Sequence, residues 1–440
     1  MKIAAALLLT SALAAPAFAQ APAPASAEDI AAELAAMRAK IASLEAQVAA
    51  LQAAPAAPAP AAAPAPTQIA TAAPAAKESA DKVTLTPFGR LQVDTGYVSS
   101  PRGVSDPGLG WASEIRRARI GVQGKIPGGF GYKIEADFAD NDIAVTDAWL
   151  SYDVSKSLGL TIGQQNNFQS LEELTSSRFL SFLERAAFTD AFGFERRVGI
   201  GASYEAGDLV AQAGIFTDDI DALTADENDS LSLDARLVYA PEIAGTRLHL
   251  GGSAHWRDLG DGTNVRYRQR PMVHTTDVRF LATPALGIET ETSYGLEAAA
   301  IRGPFHFAGE VHWLKAARPA GADPNFFGGY AEAGFYLTGE TRAYKGGKFD
   351  RTKVLRPVGK GGLGAFQINL RYDYLDLVDG PVVGGRQSGY QASLVWIPQN
   401  HVRFLLNYGR MQYEQAPIAA AGGDLDYGVD VFGARAQVDF

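Results

Sequence analysis

Short segments that alternate large apolar residues with charged ones are the feature that most constrains the fold of this chain. In residues 115–125, IRRARIGVQGK, Ile120 lies on one side of an extended segment, while Arg117 and Arg119 lie on the other. Residues 131–138, GYKIEADF, repeat the pattern. Because successive side chains of a strand point to opposite faces, each segment predicts a β-strand with one apolar and one charged face.

The connections between these segments separate a membrane barrel from a soluble sandwich, which periodicity alone does not. Tight connections alternate with long ones, as do the short turns and long loops of outer-membrane barrels. Taking residues 258–288 as one long loop gives sixteen strands; only residues 342–363 are long on the short-turn side. The predicted fold class is all-β, a 16-stranded antiparallel transmembrane β-barrel over residues 83–440, preceded by a short periplasmic coiled-coil helix.

The N-terminal part predicts three segments outside the barrel. Residues 1–19 have the basic start, apolar run and small residues of a cleaved signal peptide. Residues 20–52 predict a periplasmic coiled coil, with a single surface helix as the alternative, and leave the number of strands open. Its apolar seam consists of Ile30, Leu34, Met37, Ile41, Leu44, Val48 and Leu51. Residues 53–82 are an Ala/Pro-rich linker, which predicts an extended, semi-rigid spacer.

Four runs resemble the phosphate-selective porins O and P of Gram-negative outer membranes. They are PFGRLQVDTGY (87–97), IRRARIGVQGK (115–125), SLEELTSSRFLSFLERA (170–186) and YGLEAAAIRGPF (294–305). The resemblance implies a trimeric sixteen-stranded barrel that conducts phosphate or related anions passively past basic lumen residues. The C-terminal Phe440 resembles the signal that delivers such barrels to their assembly machinery.

The same resemblance sets the expected location and partners. It implies an outer-membrane porin surrounded by lipid and lipopolysaccharide, with its stalk in the periplasm and small anions as permeants. No enzymatic activity, cofactor, metal or nucleic-acid partner is expected, and the chain has no cysteine to ligate a metal. Its formal net charge is -10, so any anion preference has to come from the placement of the basic residues.

The stretch VRYRQRP, residues 265–271, places Arg266, Arg268 and Arg270 at every second position. In the porin interpretation they form an arginine ladder in the vestibule, where water and passing anions screen their mutual repulsion. The planar guanidinium fork matches phosphate oxygens and stays charged. The alternative is an exposed edge segment whose arginines deter aggregation.

Seven further arginines are candidates for the anion pathway. Alternation predicts that five of them face the lumen: Arg90, Arg117, Arg119, Arg371 and Arg403. The other two, Arg178 and Arg185, lie in a long loop that is expected to fold inward and narrow the pore after a cap at Ser170, although Glu184 offers one of them a partner. Arg116 falls on the opposite face of its strand and is expected at the membrane interface. Inward carboxylates leave a general porin open: Glu135, Asp137, Asp147 and Glu297.

Two other functional classes are weighed against a pore. A hydrolase would need a nucleophile near a base, and His306, His312 and Glu310 share a strand face without a serine motif beside them. Polar lumen lining is the preferred interpretation of these three residues. A tether is the more serious alternative, with the stalk as the functional part and the barrel as its anchor.

Overall fold

Sixteen antiparallel strands form a closed barrel in the computed structural model, which describes residues 82–139, 142–224 and 230–440. Strand β1 pairs with both β2 and β16, so the main sheet has no free edge. This confirms the predicted fold class of residues 83–440. The predicted signal peptide, coiled coil and almost all of the Ala/Pro linker lie outside the described residues.

The barrel strands, numbered in chain order, are β1 Thr86–Val98, β2 Gly110–Ile126, β3 Phe130–Asp137, β4 Ala144–Asp153, β5 Leu158–Asn166, β6 Arg196–Ala206, β7 Leu209–Phe216, β8 Leu231–Tyr239, β9 Thr246–Val265, β10 Leu286–Arg302, β11 Phe305–Ala317, β12 Asn325–Tyr336, β13 Ala365–Asp379, β14 Val382–Gln399, β15 Val402–Glu414 and β16 Tyr427–Asp439. The helices are α1 Leu171–Leu174 and α2 Ala187–Ala191, with a 3-10 turn at Ala222–Thr224. Among the residues that the structure describes, no helix has the length and hydropathy needed to cross a membrane.

The two faces of the wall differ as the alternation predicts. Outward residues such as Ile120, Leu296 and Leu370 keep 63%, 59% and 65% of their surface exposed. Inward residues such as Asp94 and Arg435 are buried inside the barrel. Aromatic side chains lie towards both ends of the outer face: Tyr97, Trp111, Tyr408 and Phe432 at one end, and Phe305, Phe335, Phe366, Trp396 and Phe404 at the other. An apolar band between aromatic girdles is the surface of a lipid-embedded barrel.

The connections follow the predicted alternation with two differences. Strand β9 continues to Val265 and β10 begins at Leu286, so the loop expected at 258–288 contains only residues 266–285. Residues 380–381 form a two-residue turn at the end of the barrel that otherwise carries loops. The long connection on the short-turn side is present, and it forms a small hairpin of Ala343–Lys345 and Lys348–Asp350.

Three connections fold into the barrel and fill much of it. We call residues 167–195 the inner loop, residues 266–285 the cap loop and residues 337–364 the basal loop. They share an apolar core with inward residues of the wall: Phe188, Phe280, Phe349, Leu375 and Tyr413 are among its buried members. Loop packing therefore excludes water from part of the lumen.

The cap loop depends on Phe280, whose ring is fully buried and lies 5.1 Å from the ring of Tyr413. We predict that Phe280→Ala costs about 3–5 kcal/mol of local stability and speeds trypsin cleavage after the cap-loop arginines by at least about two orders of magnitude. Barrel folding, followed by heat-modifiable electrophoretic mobility, should be retained. The control is Leu425→Ala, whose side chain is 41% exposed on another loop; equal cleavage of the two variants would contradict the prediction.

Candidate functional site

A cavity of about 360 Å³ lies between the inner loop, the cap loop and the barrel wall. Its lining includes four arginines, Arg116, Arg117, Arg185 and Arg270. It also includes five carboxylates, Glu173, Glu184, Asp190, Glu195 and Asp373. Formal charge inside the cavity is thus nearly balanced, so its behaviour depends on which of these groups are already paired.

The first helix of the inner loop is held by a carboxylate of the wall. Ser170 caps α1 by accepting a hydrogen bond from the Glu173 amide at 3.1 Å, which confirms the predicted cap. Glu310 on β11 accepts from the amides of Leu171 at 2.9 Å and Glu172 at 2.8 Å. These N–H groups have no partner within the helix, so the buried carboxylate supplies what the helix lacks.

The second helix is held in the same way from the neighbouring part of the wall. Asp373 on β13 accepts a hydrogen bond from the amide of Ala187 at 3.0 Å, at the start of α2. On the same strand, Arg371 donates to Glu172 of the inner loop and, at 2.7 Å, to Glu332 on β12. Two adjacent lumen positions of β13 therefore bind both helices, one by its carboxylate and one by its guanidinium.

Wall arginines also bind main-chain carbonyls of the inner loop. Arg403 on β15 donates to the carbonyl of Leu180 at 2.8 Å and to that of Arg178. Arg435 on β16 donates to the carbonyl of Leu183 at 2.7 Å. A loop inside a barrel leaves carbonyls away from water, and these guanidiniums satisfy them.

Glu184 of the inner loop is contacted by several guanidiniums. Arg116 makes two hydrogen bonds to it, at 2.9 and 3.1 Å, and Arg435 makes one at 2.8 Å. Arg117 approaches to 4.0 Å. Burial alone would raise the pKa of the Glu184 carboxyl, but the three guanidiniums outweigh burial and hold that pKa well below its usual range.

The inward position of Arg116 corrects the prediction that it lies at the membrane interface. The register of β1 and β2 shifts where Gln92 faces Arg117 and Val93 faces Ile115. Arg116 is the extra residue of this bulge, and a bulge redirects the side chain that it carries. Strict alternation along β2 gave no signal for the bulge.

Most of the predicted anion-pathway arginines have a carboxylate partner. Arg90 is 2.7 Å from Glu135, and Arg119 is 2.7 Å from Asp137. Arg371 and Arg403 bind the inner loop as described. Pairing with a carboxylate neutralises much of the charge of Arg90, Arg119 and Arg371. Arg403, in contrast, is bound by carbonyl oxygens.

The two inner-loop candidates differ in their surroundings. Arg178 lies 3.5 Å from Asp439 on β16. Arg185 pairs at 3.1 Å with Glu173, not with Glu184, and also donates to the carbonyl of Thr175 at 3.1 Å. It therefore holds the inner loop together while lining the cavity.

Arg117 has the least complete pairing among the cavity arginines on β2. Its nearest hydrogen-bond partner is the neutral side chain of Gln92, at 2.9 Å. The carboxylate of Glu184, at 4.0 Å, is already bound by Arg116 and Arg435. Arg117 thus presents positive charge to the cavity.

The residues of the VRYRQRP stretch differ in burial and in the direction of their side chains. Tyr267 and Gln269 point into the barrel and are buried, and the Tyr267 hydroxyl donates to Glu291 at 2.5 Å. Arg266 and Arg268 are exposed and do not line the cavity. Arg270 is half-buried, lines the cavity and lies 2.7 Å from Asp277.

The basal loop contributes an arginine that the sequence did not signal. Arg342 donates to Glu332 at 2.9 Å and to the Ser181 hydroxyl of the inner loop at 2.8 Å, and its guanidinium lies 3.7 Å from the Phe349 ring centre. It lies in a connection outside the alternating segments, so no pattern predicted that it faces inward. Arg435, in contrast, follows the alternation of the last strand.

The three residues weighed for hydrolysis serve as wall contacts. His306 lies 3.4 Å from Glu332, and His312 lies 3.5 Å from Glu310. The ring of His312 stacks on Phe188 of α2, with centroids 4.5 Å apart. Their partners belong to the set that holds the inner loop.

A closed sixteen-stranded barrel with an apolar outer band and charged loops folded inside is an outer-membrane porin. The family model for phosphate-selective porin O and P matches residues 88–440. This chain therefore belongs to the phosphate-selective porin O and P family, whose members are channels and not enzymes. The Gram-negative outer membrane is the matching location.

Two curated proteins are similar to this chain. An uncharacterized protein of Caulobacter vibrioides is 50% identical over 362 residues, covering 80% of this chain and 73% of its own. Porin O of Pseudomonas aeruginosa is 29% identical over 333 residues, covering 67% of this chain and 73% of its own.

Solved structures share the fold. The anion-selective porin from Comamonas acidovorans aligns with a TM-score of 0.52 and 14% identity, over 82% of this chain and 100% of that one. OmpT of Vibrio cholerae aligns with a TM-score of 0.51 and 12% identity, over 83% of this chain and 99% of that one.

We predict that Glu310→Gln loosens α1 while leaving the barrel folded. Replacing a charged acceptor by a neutral one weakens each hydrogen bond by about 1 kcal/mol. Amide exchange at Leu171 and Glu172, measured by mass spectrometry in detergent, should therefore accelerate by roughly fivefold. Glu242→Gln is the control, since that side chain is 60% exposed near the turns; unchanged exchange in Glu310→Gln would show that the carboxylate does not hold the helix.

Proposed function

We propose that this porin is a passive channel that prefers small anions, with phosphate and related oxyanions among its permeants. The observation that carries the proposal is Arg117, which lines the cavity with a neutral hydrogen-bond partner and a carboxylate no closer than 4.0 Å. Its guanidinium fork suits oxyanions, and a partly shared charge binds them weakly enough to let them leave. The family description and the relative named Porin O support the same conclusion.

A second candidate is a weakly selective general porin. It is favoured by the five carboxylates in the cavity lining, which outnumber the four arginines there. Several of these carboxylates hold other groups: Glu173 pairs with Arg185, Asp373 binds the amide of Ala187, and Asp190 accepts from the amide of Arg270 at 2.8 Å. Their charge still acts across the cavity, so it reduces the preference for anions.

The assembly belongs to the same proposal. Three copies form the channel unit, lipid and lipopolysaccharide cover the apolar outer band, and Phe440 takes part in delivery to the assembly machinery. Residues 20–52 reach into the periplasm as a coiled coil. If the protein is mainly a tether, deleting residues 20–82 abolishes its cellular phenotype; if it is mainly a pore, conductance of the deletion variant is unchanged.

Arg117→Gln and Arg270→Gln should lower anion preference, as read from the reversal potential of single channels in a KCl gradient. A unit charge about 4 Å from a permeant in a wet lumen is worth about 1 kcal/mol, so we expect the chloride-to-potassium permeability ratio to fall roughly fivefold. Phosphate added to the same bilayer should block the unmodified channel, and block the variants less.

Arg266→Gln and Arg268→Gln are the matched controls, since both arginines are exposed in the stretch that contains Arg270. They should leave the reversal potential near that of the unmodified protein. Equal shifts in these controls would instead support the arginine ladder along the whole stretch. A cation-side reversal potential without phosphate block in the unmodified protein would replace anion preference by general permeability.

Glu184→Gln should act in the opposite direction and raise anion preference several-fold, because it leaves Arg116, Arg117 and Arg435 without their shared carboxylate. The depressed pKa of Glu184 also fixes a pH dependence. Its stabilising contribution is present above the unfolded value of about 4.3 and is lost only as pH falls through the lower folded value. Reversal potentials between about pH 7 and 5 should therefore show no titration of Glu184, and a Glu184-dependent change in that range would contradict this.

A further inference from the structure

The basal loop is strongly basic, although the chain as a whole is acidic. Residues 337–364 contain seven lysines and arginines and two carboxylates, whereas the whole chain has a formal net charge of -10. Within residues 353–363, KVLRPVGKGGL, three residues are basic and none is acidic. We call residues 353–363 the rim segment. Its positive charge is not balanced by acidic neighbours in the sequence.

The folded structure does not balance this charge either. Lys353, Arg356 and Lys360 are all exposed. Among the residues that the structure describes, no carboxylate forms an ion pair with any of the three. Arg351 of the same loop, in contrast, pairs with Asp439 of the barrel wall. The three cations of the rim segment therefore keep their charge available to a partner outside the chain.

Exposed apolar side chains lie among these cations. Leu355, Val358 and Leu363 keep 58%, 38% and 74% of their surface exposed. Water is an unfavourable surrounding for three such side chains in one short segment. A surface that combines apolar and basic residues matches the boundary between lipid tails and charged headgroups.

The rim segment is joined to the aromatic girdle of the outer face. The indole of Trp396 donates a hydrogen bond to the carbonyl of Leu363 at 2.8 Å. The Trp396 ring stacks on those of Phe366 and Phe404, with centroids 5.9 and 5.3 Å apart. Aromatic girdles lie at the level of the lipid headgroups. Leu363 is therefore at the edge of the bilayer, at the short-turn end of the barrel.

Main-chain hydrogen bonds hold the rim segment against the end of β14. The amide of Val358 donates to the carbonyl of Pro398 at 2.9 Å. The amide of Gly364 donates to the carbonyl of Arg356, also at 2.9 Å, and closes the segment into a compact turn. Because the backbone is already fixed, little ordering entropy is lost when the exposed side chains bind a partner.

We propose that the rim segment binds the headgroup of an anionic phospholipid, such as phosphatidylglycerol, in the periplasmic leaflet of the outer membrane. Its three cations contact the phosphodiester, and its exposed apolar side chains lie among the adjoining parts of the acyl chains. The short turns of outer-membrane barrels face the periplasm, and the periplasmic leaflet consists of phospholipid. The lipid binds outside the barrel, so this proposal does not depend on the proposed anion preference.

The test is native mass spectrometry of the refolded full-length protein in a nonionic detergent with equal amounts of phosphatidylglycerol and phosphatidylcholine that carry the same acyl chains. The unmodified protein should retain phosphatidylglycerol preferentially. Arg356→Gln combined with Lys360→Gln should lower that preference roughly 30-fold, since each basic residue near a membrane surface contributes about fivefold. The matched control combines Lys125→Gln with Lys156→Gln, which removes two exposed positive charges near other short turns. Its preference should stay near that of the unmodified protein.

Leu363→Ser tests the apolar part of the site. It should lower the retention of both lipids and leave their ratio unchanged, because the acyl chains are the same; unchanged retention would overturn the lipid assignment. Equal retention of the two lipids by the unmodified protein, or an equal loss in the control pair, would also overturn the proposal. Displacement of phosphatidylglycerol by inorganic phosphate at the same concentration would show a simple anion site instead. Reversal potentials test the anion preference separately, so either proposal can fail alone.

Discussion

The contact between wall side chains and the main chain of the inner loop is the interaction on which the rest of this structure depends. A loop threaded into a barrel carries amides and carbonyls into a space where they lose water. Charged side chains of the wall bind these groups. Glu310 and Asp373 accept hydrogen bonds from helix amides. Arg403 and Arg435 donate to carbonyls. Without these contacts the loop would have no defined position, and the cavity beside it would have no defined shape.

Because many lumen arginines serve to hold the loop, their number alone does not determine the ion selectivity of the channel. A guanidinium that holds a carbonyl or a buried carboxylate, as Arg371 and Arg90 do, contributes chiefly to architecture. Selectivity falls to the arginines with incomplete pairing, of which Arg117 is the clearest in the cavity. Glu184 matters for the same reason, because it binds Arg116 and Arg435 and draws on the charge of Arg117. The negative net charge of the chain is thus compatible with a channel that prefers anions.

The sequence alone determined the strand architecture of the barrel, the family and the existence of an inward loop. Alternation is a property of neighbouring residues, so the strand faces of Ile120 and Arg117 can be predicted without knowing which strand pairs with theirs. The cap at Ser170 is equally local, and it was predicted for that reason. The alternation also indicated that Arg90, Arg119, Arg371 and Arg403 lie inside the barrel, but not what they bind.

Only the tertiary structure decided which charges remain available. The bulge that turns Arg116 inward depends on the register against β1, which no single segment encodes. The burial of Tyr267 and Gln269, which separates Arg270 from the two exposed arginines, comes from packing against β10 and β14. The bond between Arg371 and Glu172 joins residues 199 positions apart. Local periodicity sets the direction of a side chain, but its partner, and hence its remaining charge, depends on contacts between segments far apart in the chain.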